Sequence, residues 1–193
     1  MKSLVLAAGL MASFASMAHA QAETYTLDPS HSQIVFDYNH LGFSTTTSMF
    51  SGFEGTIEFD AQDPAKSSVS VEFPAESLIT GWDARTKHFM TDDFFGAAEN
   101  PEITFKSTSI EVTGEKTGKI TGDLTVNGVT KPITIDATMT QMGEHPMQKK
   151  PWVGFDGTTT IKRSDFDMGM YAPYVSDDVN VRISIEAMKG TAE

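Results

Sequence analysis

The chain has no cysteine among its 193 residues. Disulfides, thiolate metal sites, iron–sulfur clusters and thiol catalysis are therefore excluded. Basic residues are scarce as well: 14 Lys and Arg stand against 26 Asp and Glu, which gives a net charge of −12. A surface of this sign repels phosphate backbones, so we expect no nucleic-acid partner. Without covalent cross-links, the fold has to be stabilised by its own hydrophobic core.

A long apolar run occurs only at the N-terminus, and it is too short to span a bilayer comfortably. Lys2 gives a basic start, residues 4–17 are mostly apolar or small, and Ala18-His19-Ala20 forms an A-x-A cleavage pattern. These three parts predict a secretory signal peptide over residues 1–20, cleaved near Ala20. The sequence thus predicts an exported protein with no membrane span and a single domain over residues 21–193.

Beyond that segment, apolar and polar residues alternate in about eight stretches, the pattern of half-buried β-strands. Asn127-Gly128 predicts a two-residue hairpin. A change of phase between Phe105 and Ile110 predicts a bulge or bend. The pattern therefore indicates an all-β fold, either a sandwich or a closed barrel.

Two features favour the closed barrel. The inward face is rich in Phe and β-branched residues along nearly every stretch, and glycines occur inside strands, where bends or close approach require them. These glycines are Gly52, Gly55, Gly122 and Gly157. We therefore predict an eight-stranded antiparallel barrel, whose interior is either filled by side chains or holds one slender ligand.

Residues 83–95 break the alternation and contain neither Gly nor Pro. Their apolar spacing predicts a short helix with Asp83 as its N-cap. Arg85, His88 and Asp92 would share one face of that helix, and they form either a site for a carbonyl or phosphate group or a surface network. Three aromatic residues of the same segment would close one mouth of the barrel or anchor the helix: Phe89, Phe94 and Phe95.

Six stretches of the sequence, taken together and in order, resemble the YceI-like family. They are residues 25–40 (YTLDPSHSQIVFDYNH), 50–55 (FSGFEG), 85–95 (RTKHFMTDDFF), 101–107 (PEITFKS), 122–132 (GDLTVNGVTKP) and 163–166 (RSDF). The resemblance implies a lipocalin-like antiparallel barrel, exported to the periplasm, that encloses a polyisoprenoid chain. Isoprenoid quinones and isoprenyl phosphates are the ligand classes it implies. Two positions depart from the family pattern: Thr86 stands where an acid is frequent, and Asp167 where glycine is usual.

A polyisoprenoid needs a narrow interior lined by aromatic and branched side chains, with polar groups at a mouth for its head group. Its burial is driven by removal from water, at about 0.8 kcal/mol per CH₂ group. The predicted function is therefore a non-enzymatic carrier that needs no cofactor besides its lipid. The predicted ligand-binding residues are Ile34, Phe36, Tyr38, His40, Phe53, Ile57, Phe59, Val71, Arg85, His88, Phe89, Phe94, Phe95, Phe105, Leu124 and Phe155.

Other functions stay open at this point. No G-x-S-x-G or H-E-x-x-H pattern supports a hydrolase, and the opposite strand parity of His31 and His40 disfavours a site shared by both. A solid barrel could instead bind a partner protein, and an aromatic patch or free strand edge could form a twofold homodimer. Late Met and His residues are either soft-metal ligands for Cu(I) or flexible packing: Met139, Met142, His145, Met147, Met168 and Met170.

Overall fold

The computed structural model describes residues 22–190, so the predicted signal peptide lies outside the described residues. None of the helices in this part of the chain has the length and apolar character needed to cross a membrane. The elements are β1 Glu23–Leu27, β2 Gln33–His40, β3 Ser44–Ser51, β4 Glu54–Phe59, β5 Ser68–Pro74, β6 Leu78–Ile79, α1 Asp83–Phe89, β7 Glu102–Val112, β8 Thr117–Val126, β9 Val129–Glu144, β10 Pro151–Lys162 and β11 Asp178–Lys189.

The strands form a closed antiparallel barrel, as predicted. Each of β1, β4, β5, β7, β8, β9, β10 and β11 pairs with the next, and β1 pairs back onto β11 to complete a ring of eight. Strand β2 continues the line of β1 along β11, and β3 in turn pairs with β2 and β6. The ring thus has eight walls. Three of them consist of two shorter strands each: β1 with β2, β4 with β3, and β5 with β6.

The two ends of the barrel differ. Helix α1, the β2–β3 turn and the long β10–β11 connection lie at one end, here called the helix end. The β7–β8 and β9–β10 hairpins lie at the other, here called the hairpin end. Consecutive antiparallel strands are connected at alternate ends of a barrel. The β8–β9 hairpin therefore lies at the helix end, opposite the β7–β8 and β9–β10 hairpins.

Local backbone features follow the sequence. Val126 pairs with Val129 across the predicted two-residue turn, where Asn127 and Gly128 have φ of 49° and 71°. The predicted bulge in β7 is confirmed by a shift of register between Ser107 and Ser109. These devices add twist and bend to the sheet, which closure into a barrel requires.

Gly122 shows why a strand of this barrel needs glycine. A Cβ at this position would lie 2.5 Å from Cζ of Phe105 and 2.6 Å from the carbonyl oxygen of Lys106. The absent side chain therefore lets the Phe105 ring lie flat against the neighbouring strand β8, where it is buried in the core.

The predicted helix exists but is shorter than residues 83–95. It ends at Phe89, and turns with backbone hydrogen bonds, such as Phe94 N–H to Thr91 O at 3.0 Å, follow it. The assignment of Asp83 as N-cap is wrong: Trp82 occupies the cap position, and Asp83 is the first helical residue. Asp83 still places a negative charge in the first turn, where the helix dipole favours it.

Asp167 stands where the resemblance to the family implies glycine. It follows the short 3₁₀ turn Arg163–Phe166 in the left-handed conformation, with φ of 57°. Asp is among the non-glycine residues that tolerate this region best, so it is compatible with this bend. Thr86, the other departure, hydrogen-bonds through its hydroxyl to Thr80 Oγ1 at 2.8 Å and thus ties α1 to the strand before it.

Candidate ligand-binding cavity

A cavity of about 710 Å³ runs along the interior of the barrel. Its lining extends from Trp82 and Tyr171 at the helix end to Glu115 and Lys116 at the hairpin end. All four of these residues are exposed to solvent, so the lining reaches the protein surface at both ends. The barrel is therefore hollow rather than solid.

Strand parity places the lining residues. On each strand the residues that point inward are two apart, so one apolar set from each wall meets around the axis. All sixteen residues predicted from the sequence to bind ligand lie in this lining. Their role in binding is a prediction that the cavity alone does not test.

The middle of the cavity is apolar and incompletely filled. Leu124, Phe155, Val181 and Ile185 face inward and yet are only half-buried. In a close-packed core, inward side chains on the central strands would be fully buried. Their remaining accessible surface faces the cavity, which is the place for an apolar ligand to cover it.

An aromatic cluster narrows the cavity toward the helix end. Phe50 lies at the centre of this cluster, with ring centroids 5.0 Å from Phe73, 5.8 Å from Phe36 and 5.8 Å from Phe95. Phe50 and Phe73 line the cavity but were not among the predicted residues. Phe50 was missed because the Thr- and Ser-rich segment before it carries little apolar alternation, although its pairing with β2 makes it a strand.

The predicted mouth residues divide into two groups. Phe89, Phe94 and Phe95 both anchor the helical segment and line the cavity, with Phe89 and Phe94 centroids 5.1 Å apart. Arg85 and His88 line it from α1. These five side chains therefore cover the helix end of the cavity. The three Phe rings are apolar, whereas Arg85 and His88 bring a guanidinium and an imidazole group.

Asp92 does not belong to this site. The helix ends before it, so it shares no helical face with Arg85 and His88, and it is absent from the cavity lining. His88 Nε2 lies instead 4.0 Å from Asp93 Oδ2, and both side chains are about half exposed. This separation is too long for a strong pair, which leaves the imidazole available for other hydrogen bonds.

The remaining donors at the helix end differ in their availability. Arg85 donates through Nη1 to the carbonyl oxygen of Thr80 at 3.2 Å, and its guanidinium carbon lies 5.7 Å from the Trp82 ring centroid. Within residues 22–190 that is the one hydrogen bond that its guanidinium makes. Since a guanidinium has five N–H donors, Arg85 can still bind a carbonyl or phosphate oxygen in the cavity.

Arg163 also lines the cavity, but its donors are used. It is buried, and it donates to the backbone carbonyls of Met168, Met170, Val175 and Ser176. Burial lowers the pKa of its guanidinium, against the opposing effect of the Asp177 carboxylate. Arg163 is therefore an anchor for the β10–β11 connection and not a free ligand-binding group.

The histidines of residues 22–190 lie in different parts of the barrel, and of these His40 and His88 line the cavity. His40 lines the cavity, whereas His31 lies on the outer surface with its Nδ1 2.8 Å from Asp28 Oδ2, as their opposite parity indicated. His145 packs against Trp152 at the hairpin end, with ring centroids 4.7 Å apart and the ring planes tilted by 43°. Trp152 lies outside the cavity lining and donates through Nε1 to Glu186 at 3.1 Å.

The late methionines are likewise divided. Met142 and Met147 are exposed at the hairpin end, whereas Met168 and Met170 line the cavity at the helix end. The twelve residues of β10 separate the two groups. Met142 pairs with Val153, nine residues before the end of β10 at Lys162, which is about 30 Å at a rise of about 3.3 Å per residue. The methionines and His145 therefore cannot form a single soft-metal site.

Comparison with known proteins identifies the family. The model of the YceI-like domain matches residues 25–187. A UPF0312 protein of Pseudomonas savastanoi pv. phaseolicola is 37% identical over 195 residues, covering 98% of each chain. The crystal structure of Burkholderia cenocepacia BcnA has a TM-score of 0.75 and 25% identity, covering 83% of this chain and 98% of that one.

The same fold occurs in a polyisoprenoid binding domain from Saccharophagus degradans. The TM-score is 0.67 at 16% identity, and the likeness covers 89% of this chain and all of that domain. The family match spans every strand of the closed ring together with the helix and the β10–β11 connection that form the mouth of the cavity. On this evidence the chain belongs to the YceI-like family.

Proposed function

We propose that this protein binds a polyisoprenoid lipid in the barrel cavity and carries it through the periplasm without chemical change. The observation that carries the proposal is the unfilled apolar surface inside the barrel. Inward residues such as Leu124 and Val181 stay half-buried around a cavity of about 710 Å³. That volume lies within the range of about 300–1,000 Å³ typical of small-molecule sites.

The shape of the cavity favours a long ligand. Its lining continues from one end of the barrel to the other, so a linear branched chain can lie along the axis. Each CH₂ group transferred from water into this lining contributes about 0.8 kcal/mol before the cost of ordering the chain. Aromatic edges from Phe50 and Phe155 and branched side chains suit the methyl groups of an isoprenoid better than a polar ligand.

The head group is assigned to the helix end. Arg85, His88 and His40 line the cavity there, and each can hydrogen-bond a quinone carbonyl or a phosphate oxygen. A polyprenyl phosphate would form charge-assisted hydrogen bonds with Arg85, and a quinone would form neutral or single charge-assisted ones. Both head-group classes therefore fit, and the tail is common to them.

Relatives and sequence support the same function. Polyisoprenoid binding is the property named for the Saccharophagus degradans domain, with which this chain shares its barrel. The basic start, apolar stretch and A-x-A pattern of residues 1–20 support export to the periplasm. A carrier in that compartment would shield the apolar tail from water between two membranes.

The test is extraction of the protein purified from its exported compartment, with mass spectrometry of the organic phase and metal analysis of the aqueous phase. We expect one isoprenoid lipid per protein, and its head group will name the class. Protein that contains bound copper and no lipid would overturn the proposal in favour of a metal-binding function. Protein that neither contains an isoprenoid nor takes one up from added ubiquinone or undecaprenyl phosphate would also overturn it.

A further inference from the structure

Five large apolar side chains are exposed around the helix end of the cavity. Phe43 is 91% exposed and Tyr174 is 77% exposed. The five form a set that we call the aromatic rim: Leu41, Phe43, Trp82, Tyr171 and Tyr174. Trp82 and Tyr171 also line the cavity, so the rim lies at its mouth.

The rim is held in place by backbone hydrogen bonds. Leu41 N–H donates to Tyr174 O at 3.0 Å, and Ser176 N–H donates to Asn39 O at 3.0 Å. These bonds join the β2–β3 turn to the β10–β11 connection, and the buried Arg163 fixes the connection from inside. The aromatic side chains are thus presented to solvent by a rigid support.

The rim is free of charge in a strongly acidic protein. Residues 38–53 and 168–176, which contain four of its five members, carry no Asp, Glu, Lys or Arg, whereas the whole chain has a net charge of −12. Charged residues at this end include Asp83, Arg85 and Asp93, in α1 and the turn after it. The guanidinium carbon of Arg85 lies 5.7 Å from the Trp82 ring centroid. The four rim residues outside this helical segment have no electrostatic attraction for a cationic protein or an anionic membrane.

The backbone conformation of Leu41 indicates that the exposed side chains of the rim have a function. It adopts the left-handed conformation with φ of 56°, which is sterically unfavourable for a residue with a Cβ. A leucine that is about half exposed gains only part of the burial that could offset this cost. Such an outlier at a cavity mouth suggests that the side chain is covered when the protein acts.

We propose that the aromatic rim docks the mouth of the barrel onto the surface of a lipid bilayer. The inference rests on the proposed function, because a polyisoprenoid is drawn from and returned to a bilayer. Trp, Tyr and Phe are the side chains that settle at the boundary between head groups and acyl chains. Docked in this way, the cavity mouth opens toward the acyl region, and the tail can enter without crossing water.

The test is co-sedimentation of the purified protein with vesicles made mainly of phosphatidylethanolamine. We expect the double variant Phe43→Ser/Tyr174→Ser to reduce the vesicle-bound fraction at limiting lipid about tenfold or more, since 1.4 kcal/mol corresponds to tenfold. The control is Met147→Ser, which removes a side chain that is 82% exposed at the hairpin end. Because the rim is uncharged, binding should not increase when phosphatidylglycerol is added or salt is lowered.

Three results would overturn the docking proposal: equal binding by the rim variant and the control, binding that requires phosphatidylglycerol, or absence of binding by the unmodified protein. Light scattering on the same samples tests a second copy as the occupant. A dimer that dissociates in Phe43→Ser/Tyr174→Ser, without vesicle binding by the parent, would assign the rim to self-association. Lipid extraction distinguishes the two proposals. If the purified protein contains an isoprenoid but does not bind vesicles, the docking proposal is wrong and the carrier function still holds.

Discussion

Arg163 donates a hydrogen bond from Nη2 to the carbonyl oxygen of Val175 at 2.8 Å. This bond links the end of β10 to the last turn before β11, and three further carbonyls of the same connection accept from the same guanidinium. A single buried side chain therefore determines the path of a stretch with no regular secondary structure.

Replacement of this arginine should destabilise the protein strongly. Arg163→Leu leaves four carbonyls without their donor, and each buried unsatisfied group costs about 1–3 kcal/mol. We expect the free energy of unfolding in urea to fall by about 3 kcal/mol or more. Lys162→Met, which removes an exposed ion pair to Asp178, should change it by less than about 1 kcal/mol. Equal effects of the two would contradict the anchoring role.

Gly122→Ala should destabilise the barrel by about 1–3 kcal/mol through overpacking. The added Cβ meets the Phe105 ring and the backbone of Lys106, and the backbone atom cannot move aside. Gly143→Ala is the matched control, because the nearest atom to its Cβ would be 3.7 Å away. Thermal unfolding followed by circular dichroism gives the comparison, and a neutral Gly122→Ala would show that β7 and β8 do not pack as described.

Filling the cavity should remove the lipid and leave the fold intact. Leu124→Trp/Val181→Trp adds two indoles from walls three strands apart in the ring. We expect the isoprenoid content measured by mass spectrometry to fall about tenfold or more, the equivalent of 1.4 kcal/mol. The control Thr125→Trp/Arg182→Trp places the same residues at the next positions, which point outward. Full lipid content in the filled variant would exclude the barrel interior as the site.

Removal of the polar groups at the helix end should weaken the binding of the lipid head group and leave the binding of the tail unchanged. Arg85→Met takes away a guanidinium with unused donors, and charge-assisted hydrogen bonds contribute about 1.5–3 kcal/mol each. We therefore expect a phosphate-bearing isoprenoid to bind at least tenfold more weakly, measured by competition with a polyprenol of the same length. Lys87→Met, on the same helix but outside the cavity lining, is the control. An equal loss for both lipids would contradict the assignment.

Stability should depend on pH through His31 and Asp28. The hydrogen bond to Asp28 raises the pKa of His31 above 6.5. Although desolvation acts in the opposite direction, hydrogen bonds from His31 and Ser30 lower the pKa of Asp28 below 3.8. A raised histidine pKa stabilises the fold below 6.5, and this contribution is lost as pH rises through the folded value. A lowered aspartate pKa stabilises above 3.8, and this contribution is lost as pH falls through the folded value.

The pair therefore contributes most between pH 3.8 and 6.5. We expect the difference in Tm between the parent and His31→Ala to be largest in this interval and to shrink on either side. Asp28→Asn should abolish the variation of that difference with pH. A difference in Tm that stays constant from acid to neutral pH would show that the contribution of His31 to stability does not depend on an ion pair with Asp28.

Much of the barrel could be predicted because its geometry depends on parity. Ile34, Ile57 and Leu124 line the cavity since alternation alone determines which face a strand residue occupies. The same rule identified the bulge in β7, where the alternation changes phase. The presence of a hollow, in contrast, depends on how far eight sets of side chains reach toward the axis, which no single stretch of sequence specifies.

The mouth was harder to predict because its contacts are irregular. Asp92 was assigned to a helical face that ends before it, since tertiary turns after Phe89 stop the helix earlier than its composition does. Arg163 donates hydrogen bonds to backbone carbonyls. Every residue has such a carbonyl, so the sequence does not indicate which of them accept. The sequence does not distinguish Phe43 and Tyr174 from buried aromatic residues, because the exposure of a loop residue depends on where the loop lies in the fold.

The broken walls of the barrel have a mechanical consequence. Strand β6 pairs with β3, and β7 pairs with β5 and β8, so among residues 22–190 no strand ladder joins β6 to β7. Helix α1 and the turns up to residue 100 cover this gap by side-chain packing, for example of Phe89 on Tyr38 at 6.2 Å. Displacement of that cover would break no interstrand hydrogen bond, so the wall can part here at a lower free energy than elsewhere. The mouth that faces the bilayer would then widen along the gap between β6 and β7, and a long branched chain would enter there over part of its length at once.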